Sequence, residues 1–222
     1  VLARDTANPA FAAAYRDHLR KIMLVRGGLR YLAKGNYNVT RLQYLAKLFP
    51  DARFVVVVRA PESHVASLMR QHERFCALGR SDPGAVEHMP QVGHFEFGLD
   101  RRPIHCGDDA ATRSVLQAWA DGDEILGWSR YWADIHRYLA ALLATDPAIA
   151  QATLVLRHED LVRDSTDALT SVHRHCGLPI DTAGIDALAA LVRKEDGGAT
   201  LDPAARAIVM RETAAPAASF GY

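Results

Sequence analysis

Arg59 and Ser67 stand eight residues apart, the arginine directly after the run Phe54-Val55-Val56-Val57-Val58 and the serine six residues after Pro61. A guanidinium presents a planar fork of N–H donors and a hydroxyl adds one more, a pairing suited to phosphate. If the valine run is a strand and Pro61 opens a helix, Ser67 falls near the second helical turn. The unpaired N–H groups of the helix start then favour the same anion. The alternative use of Arg59 is to cap a core strand and contact local carbonyls. Gln71 and Arg74 share the helical face of Ser67 and extend the polar surface, whereas His72 points to one side. Other side chains able to do chemistry are Lys34 in Lys34-Gly35-Asn36, His94 and His105 on either side of Phe95–Pro103, and Arg193-Lys194. The histidines and cysteines fall into no metal-ligand spacing.

These side chains need elements to hold them. Four consecutive valines, β-branched and apolar all round, predict a strand buried on both faces of a parallel sheet. Arg59 then sits at its carboxyl end, where open α/β sheets bind ligands. A helix is expected from Pro61 to about Ala77. Upstream, Asn8-Pro9 opens a helix through about Val25, Leu29 to Ala33 suggests a short strand, and Thr40 to Leu48 is helical. Lys34 would end that short strand on the same rim as Arg59. Residues 79–109, rich in Gly, Pro, Asp and His, predict loops over an opening, the kind of segment that often carries binding residues. Thr112 to about Thr145 reads as one or two helices packed through Trp119, Trp128, Trp132, Ile135 and Leu139. A strand at Thr153–Leu156, a helix to Cys176 and another from Thr182 to Lys194 complete the pattern. Strands alternating with helices predict an α/β fold, a three-layer α/β/α arrangement with a parallel sheet, as one domain over 1–222.

Composition narrows the partners. Lys and Arg total 26 and Asp and Glu total 26, so the formal net charge is zero. That argues against a nucleic-acid or membrane-surface binder, and any anion site must be built locally. Cys76, Cys106 and Cys176 are sparse and odd in number, which favours reduced thiols in a cytoplasmic protein. No apolar run approaches the roughly 18–20 residues needed to span a bilayer, and no signal peptide is visible. Nothing in the pattern sets an oligomeric state.

The segment Lys47-Leu48-Phe49-Pro50-Asp51-Ala52-Arg53-Phe54 through Arg59-Ala60-Pro61 to Ser67 resembles the 3′-phosphate-binding segment of the sulfotransferase family. Members of that family use 3′-phosphoadenosine-5′-phosphosulfate (PAPS) as sulfuryl donor. In their pattern a Phe-Pro-Asp-Ala turn leads into a strand ending in Arg, and Ser follows eight residues later. Ala60 departs from it, since Asp usually stands there; losing that helix cap predicts a local cost of about 1 kcal/mol. Leu154-Val155-Leu156-Arg157-His158-Glu159-Asp160-Leu161 is similar to the family's later strand and turn, with His158 in place of a common Tyr. Val172–Pro179 is similar to the helix ending that follows. The resemblance covers roughly Arg30 to Pro179. It makes Glu159 and Asp160 a structural turn that bonds backbone at the sheet edge, rather than an acid–base pair.

The resemblance implies a P-loop NTPase-like sulfotransferase fold and transfer of a sulfuryl group from PAPS to a hydroxyl or amine of a small-molecule or glycan acceptor. Adenosine 3′,5′-bisphosphate would be released, and no metal is required. Arg59 and Ser67 would hold the 3′-phosphate, and Arg193-Lys194 resembles the Arg-Lys-Gly loop that folds over it. Lys34 would help position the transferring group. Asn36 stands where cytosolic members carry a catalytic His and has no basic lone pair, so the base is sought elsewhere, with His94 and His105 as candidates. The glycine-rich loop for the 5′-phosphosulfate has no counterpart here. Val25-Arg26-Gly27-Gly28-Leu29-Arg30 is the nearest segment and reads instead as a helix end turning into the next strand. The expectation is therefore an N-terminally incomplete domain. The alternatives are a non-catalytic scaffold of the same fold and a kinase-like enzyme using ATP and Mg²⁺.

Overall fold

In the computed structural model, which describes residues 1–91, 93, 95–193 and 201–222, the chain gathers into two compact units, Val1–Ala52 and Arg53–Tyr222.

In the first unit the Asn8 side chain accepts from the Phe11 N–H at 3.1 Å and Pro9 fills the first helical position, which starts α1 (Pro9–Arg26). Gly27 ends it at φ 61, a left-handed turn that a side chain would resist, and Gly28 donates back to the Met23 carbonyl at 2.8 Å. The glycine pair therefore terminates a helix, as its sequence suggests. A 3₁₀ turn over Asn36–Arg41 leads into α2 (Leu42–Leu48). Ala12, Tyr44 and Leu48 form the small core, with Leu2, Tyr15 and Phe49 packed against it. The strand expected over Leu29–Ala33 does not form. Leu29 and Leu32 are 94% and 93% exposed in irregular backbone. A strand needs a neighbour for its N–H and C=O groups, and the described residues of this unit supply only helices.

The second unit holds the sheet. β1 (Phe54–Val58) pairs in parallel with β2 (Thr153–Arg157), from Phe54 opposite Thr153 to Val58 opposite Arg157. Between them run α3 (Pro61–Ser81), α4 (Pro83–Gln91), α5 (Asp109–Ala120), α6 (Glu124–Thr145) and α7 (Pro147–Ala152). After β2 come α8 (His158–Arg163), α9 (Ser165–His175), α10 (Thr182–Ala189) and α11 (Pro203–Ala218). The parallel pairing agrees with expectation, but the sheet has two strands among the described residues and the unit is mostly helical. The valine run is also not buried on both faces. Val58 is buried, whereas Val55 and Val57 are 36% and 51% exposed, so burial alternates with the period of a one-sided strand.

The core centres on α6. Trp128, Trp132 and Leu139 are fully buried, and the rings of Trp119, Trp128 and Tyr131 pack in tilted and edge-on contacts within 6 Å of one another. Gly127 is required by this packing: a Cβ there would lie 2.2 Å from the Trp119 ring. Residues 203–218 show little apolar periodicity, yet α11 packs on α6 and α3 through Val209 and Thr213, both fully buried. Arg206 bonds Glu62 of α3 at 2.9 Å and Arg130 of α6 approaches Glu212 at 3.5 Å, which fixes the helix at two points. Among the described residues no helix is long and apolar enough to cross a membrane.

Candidate functional site

A cleft of about 280 Å³ opens at the carboxyl end of β1. Val57 and Arg59 reach it from the strand end; His64, Ser67, Leu68 and Gln71 reach it from α3. Those four occupy positions i, i+3, i+4 and i+7, one stripe of a helix. Phe97 and His158, from the segment after α4 and the first residue of α8, complete the wall. The structure thus brings Arg59, Ser67 and Gln71 together as their spacing suggests. Among the described residues the lining has hydrogen-bond donors and no carboxylate.

The corner between β1 and α3 is held from a distance. Ala60 occupies the N-cap of α3 without a side-chain cap, and Pro61 sits at the first helical position. Glu159 supplies the missing restraint: its Oε1 accepts the Ala60 N–H at 2.9 Å. The Tyr222 hydroxyl donates to the other oxygen of Glu159 and lies 3.3 Å from the Val58 carbonyl. Burial works against ionising Glu159, but the hydrogen bonds from Tyr222 and Ala60 outweigh it and hold its carboxyl below the usual range. Burial and the neighbouring carboxylate push the Tyr222 phenol up to about 12. Glu159 therefore acts as the structural turn expected of it, and it bridges the two strand ends.

Behind the cleft lies an aromatic relay. Trp132 Nε1 donates to His64 Nδ1 at 3.1 Å, and His136 stacks on Trp132 at 3.6 Å while bonding the Trp132 carbonyl through Nδ1 at 2.7 Å. Burial, with help from His136 and Arg59, lowers the pKa of His64 to about 3; burial lowers that of His136 to about 4. Both rings are neutral at ordinary pH, which makes His64 a poor proton acceptor for catalysis. His64 and Phe97 belong to the cleft without having been singled out by motif. The available signal for His64 is its place three residues before Ser67, on the same helical stripe.

Beside the cleft, α3, α4 and the segment from Phe95 to Arg102 enclose an apolar cavity of about 130 Å³, lined by Phe75, Leu78, Val86, Met89, Phe97 and Leu99 among others. The region 79–109 is therefore part helix rather than all loop, because α4 closes this cavity. Phe97 belongs to both walls and is stacked on Phe75 and Trp128. Arg101 secures the segment: it forms a two-pronged ion pair with Glu124 of α6 and lies 4.3 Å over the Trp119 ring.

The other candidates stand elsewhere. Lys34 lies in exposed, irregular backbone of the first unit rather than at a strand end, because the strand that would carry it does not form. His105 is half exposed, paired with Asp109 at 2.7 Å and accepting from the Gly107 N–H, and it does not line the cleft. His94 and Lys194 lie outside the described residues. Arg193 follows α10 as an exposed residue and does not line the cleft. Arg74 is exposed away from the cleft, and His72 turns to Cys76 and the Gly98 N–H. Burial raises the Cys76 thiol pKa, so that pair does not supply a thiolate. Among the described residues no group of His, Cys, Asp and Glu has the geometry of a metal site.

The profile of the sulfotransferase family matches residues 3–92. The match contains the whole segment from Lys47 to Ser67 and begins well before Arg30. It ends before β2, so the second resembling segment, 154–179, lies outside it. No curated protein and no solved structure matches the chain.

Proposed function

We propose that this chain, which carries a sulfotransferase-family match over residues 3–92, is a PAPS-dependent sulfotransferase acting on a hydroxyl or amine of a small-molecule acceptor. The observation that carries this reading is the joining of Arg59 and Ser67 in one donor-lined cleft at the end of a parallel strand. Its residues fit a phosphate dianion: Arg59 supplies charge and forked donors, Ser67 a hydroxyl and Gln71 an amide, with no carboxylate among the described residues of the wall to oppose it. The cleft suits the 3′-phosphate end of the donor, and contact there distinguishes PAPS from nucleotides lacking that group. When bound, PAPS supplies the sulfuryl group. The chain's own contribution is to hold the nucleotide by its far end, so that remote binding energy is used for orientation.

The apolar cavity beside the cleft supports a small-molecule acceptor over a glycan. Its volume approaches that of an engineered dry cavity known to take a single benzene ring, roughly 150 Å³. We read the two-stranded sheet and its helices as the 3′-phosphate half of a three-layer, P-loop-like fold. The sparse, odd set of Cys76, Cys106 and Cys176 favours a cytoplasmic setting.

The test is isothermal titration of the chain with adenosine 3′,5′-bisphosphate, with AMP as control. Micromolar binding that requires the 3′-phosphate is expected. Equal binding of AMP, or a preference for ATP with Mg²⁺, would overturn the assignment.

A further inference from the structure

Among the polar side chains that line the cleft, His64 has no part in the contacts assigned to Arg59, Ser67 and Gln71. His64 lies one turn before Ser67 on the lining stripe of α3. Its Nδ1 is taken by the indole N–H of Trp132, 3.1 Å away, and Trp132 is itself fully buried. An imidazole nitrogen that accepts a hydrogen bond carries no proton, so the proton of the neutral ring is placed on Nε2. Among the described residues no partner takes that Nε2. Trp132 is in turn held by the stacked ring of His136, so the tautomer is set by fixed packing rather than by solvent.

We propose that His64 is a fourth ligand of the anion held by Arg59, Ser67 and Gln71, a donor whose Nε2–H is aimed into the cleft by Trp132. This rests on the reading of the cleft as a 3′-phosphate site and assigns a specificity-determining residue to it. The charged and titratable groups around the ring are His136, Arg59, His158 and Glu159. Burial keeps the ring uncharged, so the contact is unchanged across neutral pH while Arg59 supplies the charge. An uncharged N–H adds direction and selectivity, since it bonds a phosphate oxygen but also accepts no proton from it.

The experiment is calorimetric titration of adenosine 3′,5′-bisphosphate and AMP into the wild type, His64→Leu and His64→Gln, with thermal unfolding of each to show that it is folded. His64→Leu removes the donor and should weaken adenosine 3′,5′-bisphosphate by about tenfold or more, the range for a hydrogen bond to a charged group. AMP binding should change little. His64→Gln restores an N–H and should recover most of the loss. Nitrogen-detected NMR of the wild type should show a neutral ring protonated on Nε2 from pH 6 to 8, with a shift on adding the bisphosphate. If the wild type binds with 3′-phosphate dependence but His64→Leu binds equally well, this inference fails and the proposed function stands. A protonated or Nδ1–H ring at pH 7 likewise overturns the inference alone. A wild type that does not distinguish adenosine 3′,5′-bisphosphate from AMP overturns both.

Discussion

The two strand ends of the sheet share an apolar run closed by arginine and are opposites in use. β1 runs out through Val58 to Arg59 and β2 ends on Arg157, Val58 and Arg157 being paired in register. Each is followed at once by a helix with no side-chain cap. At the first corner α3 turns a stripe of donors toward the end of the strand and leaves a cleft. At the second, Tyr222 lies over Arg157, 4.3 Å from guanidinium to ring, and its hydroxyl joins Glu159. An apolar strand ending in Arg is therefore not itself a ligand site. What distinguishes the two is that Arg59 lines a cleft, whereas the Tyr222 ring lies over Arg157.

This contrast can be broken in several ways, and acid should do so most strongly. His64 and His136, behind the open corner, titrate at about 3 and about 4 in the folded protein against 6.5 in the unfolded chain. The unfolded state then binds more protons, so stability is intact above about pH 6.5 and lost as pH falls toward 4. The slope is up to about 1.4 kcal/mol per pH unit for each ring. Glu159, at the sealed corner, has a depressed folded pKa, so its contribution is present above the ordinary carboxyl value of 4.5 and lost only below it. Urea unfolding across pH 4 to 7 should show the wild type weakening well above pH 4.5. His64→Leu should flatten that decline, and an unchanged slope would contradict the assignment.

Arg59→Ala should weaken adenosine 3′,5′-bisphosphate binding by about 2 kcal/mol or more, the loss of charge-assisted bonds in a partly enclosed site. Calorimetry on Arg157→Ala gives the sharpest contrast, because binding should stay within about twofold while the cation–π contact with Tyr222 is lost. If both variants lose binding equally, the two corners do not differ in the way described. Between these lies Tyr222→Phe, which removes the hydroxyl bonded to Glu159 and should cost about 1.5–3 kcal/mol in chemical denaturation. It should leave the Arg59 corner closed at Ala60, since Glu159 still accepts that N–H.

Much of the local structure was legible in the residues themselves. Asn8-Pro9 starts and Gly27 ends a helix for reasons of capping and φ, and Pro61 opens α3 for the same kind of reason. The spacing of Ser67 and Gln71 placed both on one stripe because helical geometry is local. The short strand over Leu29–Ala33 was misleading, since β-prone residues form a strand only when a partner exists. α11 escaped notice because it is rich in alanine and weakly patterned, and it is held by packing on α6 and α3. His64 was passed over because a histidine among helix residues carries no motif. Its role depends on Trp132, 68 residues away.

By itself, then, the sequence determined the strand–Arg–Pro–helix corner, the stripe that carries Ser67, and the resemblance to sulfotransferases, because these depend on contacts between near neighbours. Only the tertiary structure decided which arginine faces a cleft, which nitrogen of His64 bears its proton, and what replaces the missing cap at Ala60. Each of those answers comes from a residue far along the chain, Tyr222, Trp132 and Glu159 in turn. Burial and hydrogen bonding at such distances leave no periodicity or spacing to read.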